Sequence, residues 1–85
     1  MKKTYKIEVS KKASKFILSQ PKNQKERLLK AIYKLPEGEI LPLKGYEPMQ
    51  RIRVGDYRII FEIDENQSLI RVLVIGNRGD IYKKI

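Results

Sequence analysis

The sequence contains no cysteine and no histidine, and these two absences remove much of the chemistry available to small proteins. Without cysteine there is no disulfide, no thiolate zinc site and no cysteine nucleophile. Without histidine, the usual general base at neutral pH and the commonest metal ligand are both missing. Any hydrolytic chemistry must then draw on Tyr, Lys, Arg or a carboxylate. No apolar run approaches the roughly 18 residues of a membrane span. The opening "MKKTYKIEVSKK" is basic but lacks the apolar core of a secretory signal. These absences lead us to expect a cytoplasmic protein with no membrane partner, no metal and no cofactor.

What is present is a chain sized for a single domain. The 85 residues, 41% of them hydrophobic, suffice for one sheet and a helix or two, but not for two cores. A single domain over residues 1–85 is expected. The formal charge is +9, which favours a polyanionic partner, nucleic acid before membrane, because no basic helix with a strongly apolar opposite face stands out. The cations also segregate by type. Residues 1–30 hold ten Lys or Arg, nine of them Lys, against Glu8 and Glu26, whereas five of the six arginines follow residue 50. Lysine is a flexible point charge suited to long-range attraction, and the arginine fork suits fixed, bidentate contact with phosphate.

Local patterns predict the order β-α-α-β-β-β. Tyr5, Ile7 and Val9 alternate with Lys6 and Glu8 as a half-buried strand. Ser10 is placed to cap a helix with Ala13, Phe16, Ile17 and Gln20 on one face, ended by Pro21. A second helix from about Lys22 to Leu35 carries Leu28, Leu29, Ile32 and Leu35 on one side, and "PEGE" ends it. "ILPLKGYEPM" reads as a loop with a short extended piece. Strands follow at Gln50–Val54, Tyr57–Ile63 and Leu69–Gly76, the last so apolar that it should be central and covered on both sides. The expected fold is α+β, a small and mainly antiparallel sheet with the two N-terminal helices packed on one face.

The stretch "QRIRVGDYRII" concentrates the chemistry. Gly55-Asp56 between two strand patterns signals a two-residue hairpin, and glycine at the first central position suits a type II′ turn. That turn pairs Val54 with Tyr57, Arg53 with Arg58, Ile52 with Ile59 and Arg51 with Ile60. Paired residues share a sheet face. Arg51, Arg53 and Arg58 then project from one side, and Ile52, Val54, Tyr57, Ile59 and Phe61 from the other. Like charges set directly opposite one another destabilise a sheet, so the arrangement points to an anion site holding phosphate. The plainer alternative is a solvated face whose arginines pair with Glu62 and nearby acids. Arg78 and Tyr82, four residues apart between Gly76 and the C-terminus, share a face if "RGDIYKK" makes a helical turn.

With these motifs in place, the blocks "LPLKGYEPMQRIRVGDYRIIFEI" and "VLVIGNRGDIYKK" resemble the RelE toxins of the RelE/ParE superfamily of type II toxin–antitoxin systems, over nearly the whole chain. The resemblance implies a RelE-like fold and a metal-independent endoribonuclease that cleaves mRNA in the ribosomal A site and is neutralised by a cognate antitoxin. It places the family's two basic hairpin positions, commonly lysine, on Arg51 and Arg53, and the arginine after the turn on Arg58. The late catalytic arginine falls on Arg78, the tyrosine on Tyr82, and an RNA-contacting basic position on Lys44. Catalysis is thus assigned to Arg53, Arg58, Arg78 and Tyr82, and phosphate or RNA binding to Lys44, Arg51, Arg53 and Arg58. The ParE branch, which acts on DNA gyrase, shares the hairpin but usually lacks the Arg78 and Tyr82 pairing. A gyrase inhibitor and a non-catalytic RNA-binding module are the alternatives.

For such a residue set the expected reaction is attack of the RNA 2′-hydroxyl on its own adjacent phosphate, giving a 2′,3′-cyclic phosphate and a 5′-hydroxyl. It requires in-line geometry, proton transfers and stabilisation of negative charge on phosphate. The hairpin arginines suit the last task. Tyr82 serves either as proton acceptor, if nearby cations lower its pKa from about 10, or as a stacking platform for a base. Because neither Tyr nor Arg is a good acid or base at pH 7, positioning by the ribosome should carry much of the rate. The lysine-rich helices would grip ribosomal RNA, with salt-sensitive association.

Overall fold

Alternating side chains and a capped helix begin the chain. The computed structural model describes residues 4–77 and runs β1 (Lys6–Val9), α1 (Lys11–Leu18), α2 (Lys22–Lys34), β2 (Ile40–Pro42), β3 (Gln50–Val54), β4 (Tyr57–Asp64) and β5 (Leu69–Asn77). Ser10 caps α1 as its position predicts, its hydroxyl oxygen accepting from the Ala13 N–H at 3.0 Å. The same hydroxyl donates to the Leu73 carbonyl at 2.6 Å, fastening the helix start to β5. Helix α2 ends one residue before Leu35, which leaves the helical region as its C-cap. Gly38 then lets the chain pass close to β3: at φ +122°, a Cβ there would stand 2.8 Å from Ile52 Cδ1.

The strands form one sheet in the order β1-β5-β4-β3-β2. The β1–β5 pair is parallel and the others antiparallel, so the sheet is mainly antiparallel, as expected. The short extended piece of the proline-containing segment is β2, an edge strand that pairs Leu41 with Arg51. A proline is tolerated there because an edge strand leaves one side of its backbone unpaired. Both helices lie on one face. Ala13, Ile17, Leu28, Ile32 and Leu35 pack there against Ile52, Ile59, Phe61, Ile70, Val72 and Ile75. Phe16 completes this layer with an edge-on contact to Tyr57, ring centroids 5.8 Å apart. Tyr57 also donates a hydrogen bond to Gln20 Oε1 at 2.8 Å. Among the described residues no helix is long and apolar enough to cross a membrane.

Strand β5 lies inside the sheet between β1 and β4, and its apolar run is covered on both sides as expected, by the helices over Ile70, Val72 and Ile75 and by a second cluster at Val74. A bulge shifts its register against β4, so that Ile60 pairs with Val74 but Phe61 with Val72, leaving Leu73 as the extra residue. The bulge would strand the Leu73 carbonyl, which Ser10 satisfies. On the face away from the helices, Val74 joins Ile60 and Leu43 in a second, small cluster flanked by Met49 and Leu73. The segment after β2 thus folds back over the open face. Its backbone is tied by Leu43 N–H to Met49 O (2.9 Å), Tyr46 N–H to Leu43 O (2.9 Å) and Met49 N–H to Tyr46 O (3.0 Å). Leu43 is 3% exposed and acts as the anchor. Leu43→Ala should cost about 2 kcal/mol, the low end for a buried leucine because the cluster is small. A thermal melt should then fall by roughly 10 °C, with faster amide exchange at Tyr46 and Met49. An unchanged melting temperature would mean that the loop is held by its backbone alone.

Candidate nucleic-acid interface

The hairpin has the register that its turn chemistry implies. Val54 pairs with Tyr57, Arg53 with Arg58, Ile52 with Ile59 and Arg51 with Ile60. Gly55 has φ +59° whereas Asp56 does not adopt a positive φ, the combination a type II′ turn requires. Because Ile52, Ile59 and Phe61 are buried beneath the helices, alternation puts Arg51, Arg53 and Arg58 on the opposite face. Arg53 is exposed, and Arg51 and Arg58 are half-buried. On β5, the residue paired with Arg58 is Gly76, which has no side chain to compete for the space beside the guanidinium.

Three acids, Glu8, Glu62 and Asp64, are engaged by Arg71. Glu62, the carboxylate considered as a partner for the hairpin arginines, stands directly opposite Arg71 and lies 3.5 Å from its Nη1. Asp64 reaches Arg71 Nη2 at 3.7 Å and Glu8 reaches its Nε at 4.0 Å. One arginine thus collects three carboxylates at the β1 side of the sheet. Among the described residues, no carboxylate comes within 4.0 Å of Arg51 or Arg53. The face is polarised along the strand order, with mixed charge near β1 and concentrated positive charge at the hairpin.

Lys44 lies in the loop that Leu43 pins to this same face, and is exposed. The structure therefore brings four of the candidate residues, Lys44, Arg51, Arg53 and Arg58, to one side of the sheet. The other two, Arg78 and Tyr82, lie outside the described residues. Three features were not anticipated. Tyr46, 44% exposed, is presented by the ordered loop beside Lys44. The Arg27 guanidinium lies over the turn, where a Cβ at Gly55 would meet its Nη2 at 2.9 Å. It continues into a groove of about 280 Å³ whose walls include Lys30, Lys34 and Arg53. Arg53 also borders a smaller cavity with Glu39, Leu41 and Arg51. The signal for that cavity was the period-two pattern Glu39-Ile40-Leu41, with Ile40 inward.

The five-stranded sheet with two helices on one face is shared with RelE toxins and places the chain in the RelE/ParE class of small toxins. The chain belongs to the family described as "ParE toxin of type II toxin-antitoxin system, parDE", whose model matches residues 7–82. It is 28% identical over 67 residues to Toxin RelG of Mycobacterium tuberculosis (strain ATCC 25618 / H37Rv), an alignment covering 68% of this chain and 77% of that protein. Its fold superposes on the archaeal RelE–RelB complex from Pyrococcus horikoshii OT3 with a TM-score of 0.74 and 27% identity, covering 89% of this chain and 97% of that one. For the RelB–RelE antitoxin–toxin complex from Methanococcus jannaschii, the TM-score is 0.70 at 26% identity, covering 91% and 96%.

Proposed function

We propose that this toxin is a ribosome-dependent endoribonuclease, held inactive by a cognate antitoxin, that cleaves mRNA in the ribosomal A site in the cytoplasm. The observation that carries this reading is the pairing of Arg53 with Arg58, two like charges set directly opposite one another whose mutual repulsion a bound phosphate would offset, on a face whose Glu62 lies against Arg71. The likeness to RelE structures at 26–27% identity supports the antitoxin, since both relatives were solved in complex with RelB, and the RelE-like fold is in keeping with the nuclease reading. Arg51, Arg53 and Arg58 stabilise negative charge as the 2′-hydroxyl attacks the scissile phosphorus and the 5′-oxygen leaves. Arg78 contacts the scissile phosphate and the leaving oxygen, and Tyr82 accepts the 2′-hydroxyl proton or stacks on the base. The chain's own residues suffice for this without a metal. Lys44 and the cations of the α2 groove hold RNA at the rim, and the lysine-rich helices hold ribosomal RNA.

A ParE-like inhibitor of DNA gyrase is the second reading, favoured by the family model itself. Primer extension on a translated mRNA after induction separates the two. The expected result is in-frame cuts inside A-site codons that disappear when translation initiation is blocked. Growth arrest without cuts, accompanied by loss of supercoiling by purified gyrase, would establish the second reading instead. RNA binding with neither effect would leave a non-catalytic binding module.

A further inference from the structure

One carboxylate breaks the charge pattern of the arginine face. Glu39 lines a cavity of about 180 Å³ with Leu41, Arg51 and Arg53. In a site selected only for phosphate affinity, a negative charge beside two arginines is a cost, because it opposes the electrostatic attraction that dominates binding to a nucleic-acid backbone. It is not offset by an ion pair: among the described residues, Glu39 has no cation within 4.0 Å. The carboxylate therefore stands in the cavity with its acceptor oxygens available to a ligand. Beside it, Leu41 is 52% exposed and offers an apolar wall. The volume is below the roughly 300–1,000 Å³ of sites that enclose a whole small molecule. It suits one ring entering edge-on from a strand whose phosphates lie on the arginines.

Resting on the reading of this face as an RNA site, we propose that Glu39, Leu41, Arg51 and Arg53 form a nucleobase subsite that favours a base bearing an amino group on its Watson–Crick edge and disfavours uracil. A carboxylate is an acceptor only. It accepts from the amino groups of cytosine, adenine or guanine, but meets the O2 and O4 acceptors of uracil with repulsion on either side of a single N–H. Single-stranded RNA is read by such contacts to unstacked base edges. Leu41 covers part of the base face, and the two arginines hold the adjoining phosphates.

Cytosine and uracil differ at this edge while sharing their size, so they give the test. Fluorescence anisotropy is used to titrate the protein with 2′-O-methyl pentanucleotides of cytosine and of uracil, which cannot be cleaved by 2′-hydroxyl attack. The expected result is tighter binding of the cytosine oligomer by on the order of fivefold to tenfold, the lower range for one base-specific contact. Glu39→Gln, isosteric and at an exposed position, should bring the ratio close to one, because an amide presents either a donor or an acceptor. Equal affinities in the wild type, or a ratio that survives in Glu39→Gln and so belongs to base stacking, would overturn the proposal. The measurement needs neither ribosome nor cleavage. A normal ratio without A-site cuts would leave the subsite standing and remove the nuclease, and A-site cuts with a ratio of one would do the reverse.

Discussion

Arg78→Ala combined with Tyr82→Phe should abolish A-site cutting, lowering the single-turnover rate on programmed ribosomes by about 10³-fold or more, while binding to the ribosome weakens far less. The expectation follows from the reaction's needs. Attack by a 2′-hydroxyl requires a proton to leave the nucleophile and charge to be neutralised at the leaving oxygen, and a positioned acid or base contributes typically about 10²–10⁴-fold. With no histidine in the chain, these tasks fall to few groups, and this pair is the one that the resemblance to RelE toxins assigns. Groups that act as a unit are far from additive, so Arg78→Ala alone should cost nearly as much as the double change. The tyrosine decides its own role through a second variant. Tyr82→Phe removes only the hydroxyl, and Tyr82→Ala removes the ring as well. If the Phe variant cuts like wild type and the Ala variant does not, the ring stacks on a base and takes no proton. Unchanged cutting in the double variant would remove both residues from the mechanism.

The elements that could be read locally are those whose geometry is set within a few residues. A two-residue loop with glycine at its first position leaves one register for the hairpin, so the faces of Arg51, Arg53 and Arg58 followed from the turn. A serine before an apolar helical pattern likewise identified the α1 cap. What escaped local reading depends on contacts between distant segments. Glu62 stands opposite Arg71 only because β4 and β5 pair in one register, and this diverts the acid considered for the hairpin. Leu43 looked like one more loop residue, yet it meets Ile60 and Val74, 17 and 31 positions further along. The bulge at Leu73, where Ile60 pairs with Val74 but Phe61 with Val72, is hidden inside an apolar run that reads as an unbroken strand. Glu39 joins the site because β2 docks on β3, whereas "ILPLKGYEPM" showed only a short extended piece without naming its partner strand. In each case the missing information was which strand lies next to which, and that is decided by the packing of the whole sheet.

The charge pair at the centre of the hairpin allows stability and activity to be separated. Arg53 and Arg58 are cross-strand partners, and like charges so placed destabilise by a few tenths of a kcal/mol to about 1 kcal/mol. Neutralising one of them should therefore leave the fold unharmed or improve it. Arg53 is the cleaner choice because it is exposed, whereas Arg58 is half-buried and its loss would also remove packing. Arg53→Gln should hold or raise the melting temperature by up to a few degrees, at roughly 4–8 °C per kcal/mol for a domain of this size. The same variant should lower cutting by about 10²-fold, the lower range for removing one preorganised donor from a developing oxyanion. The opposite signs carry the argument. A side chain kept for structure loses stability when changed, and one kept for solubility loses little of anything. A side chain held against its own repulsion for the sake of a phosphate gives stability back while activity falls. A lower melting temperature with cutting preserved would show that the arginines of "QRIRVGDYRII" serve the sheet and not a ligand.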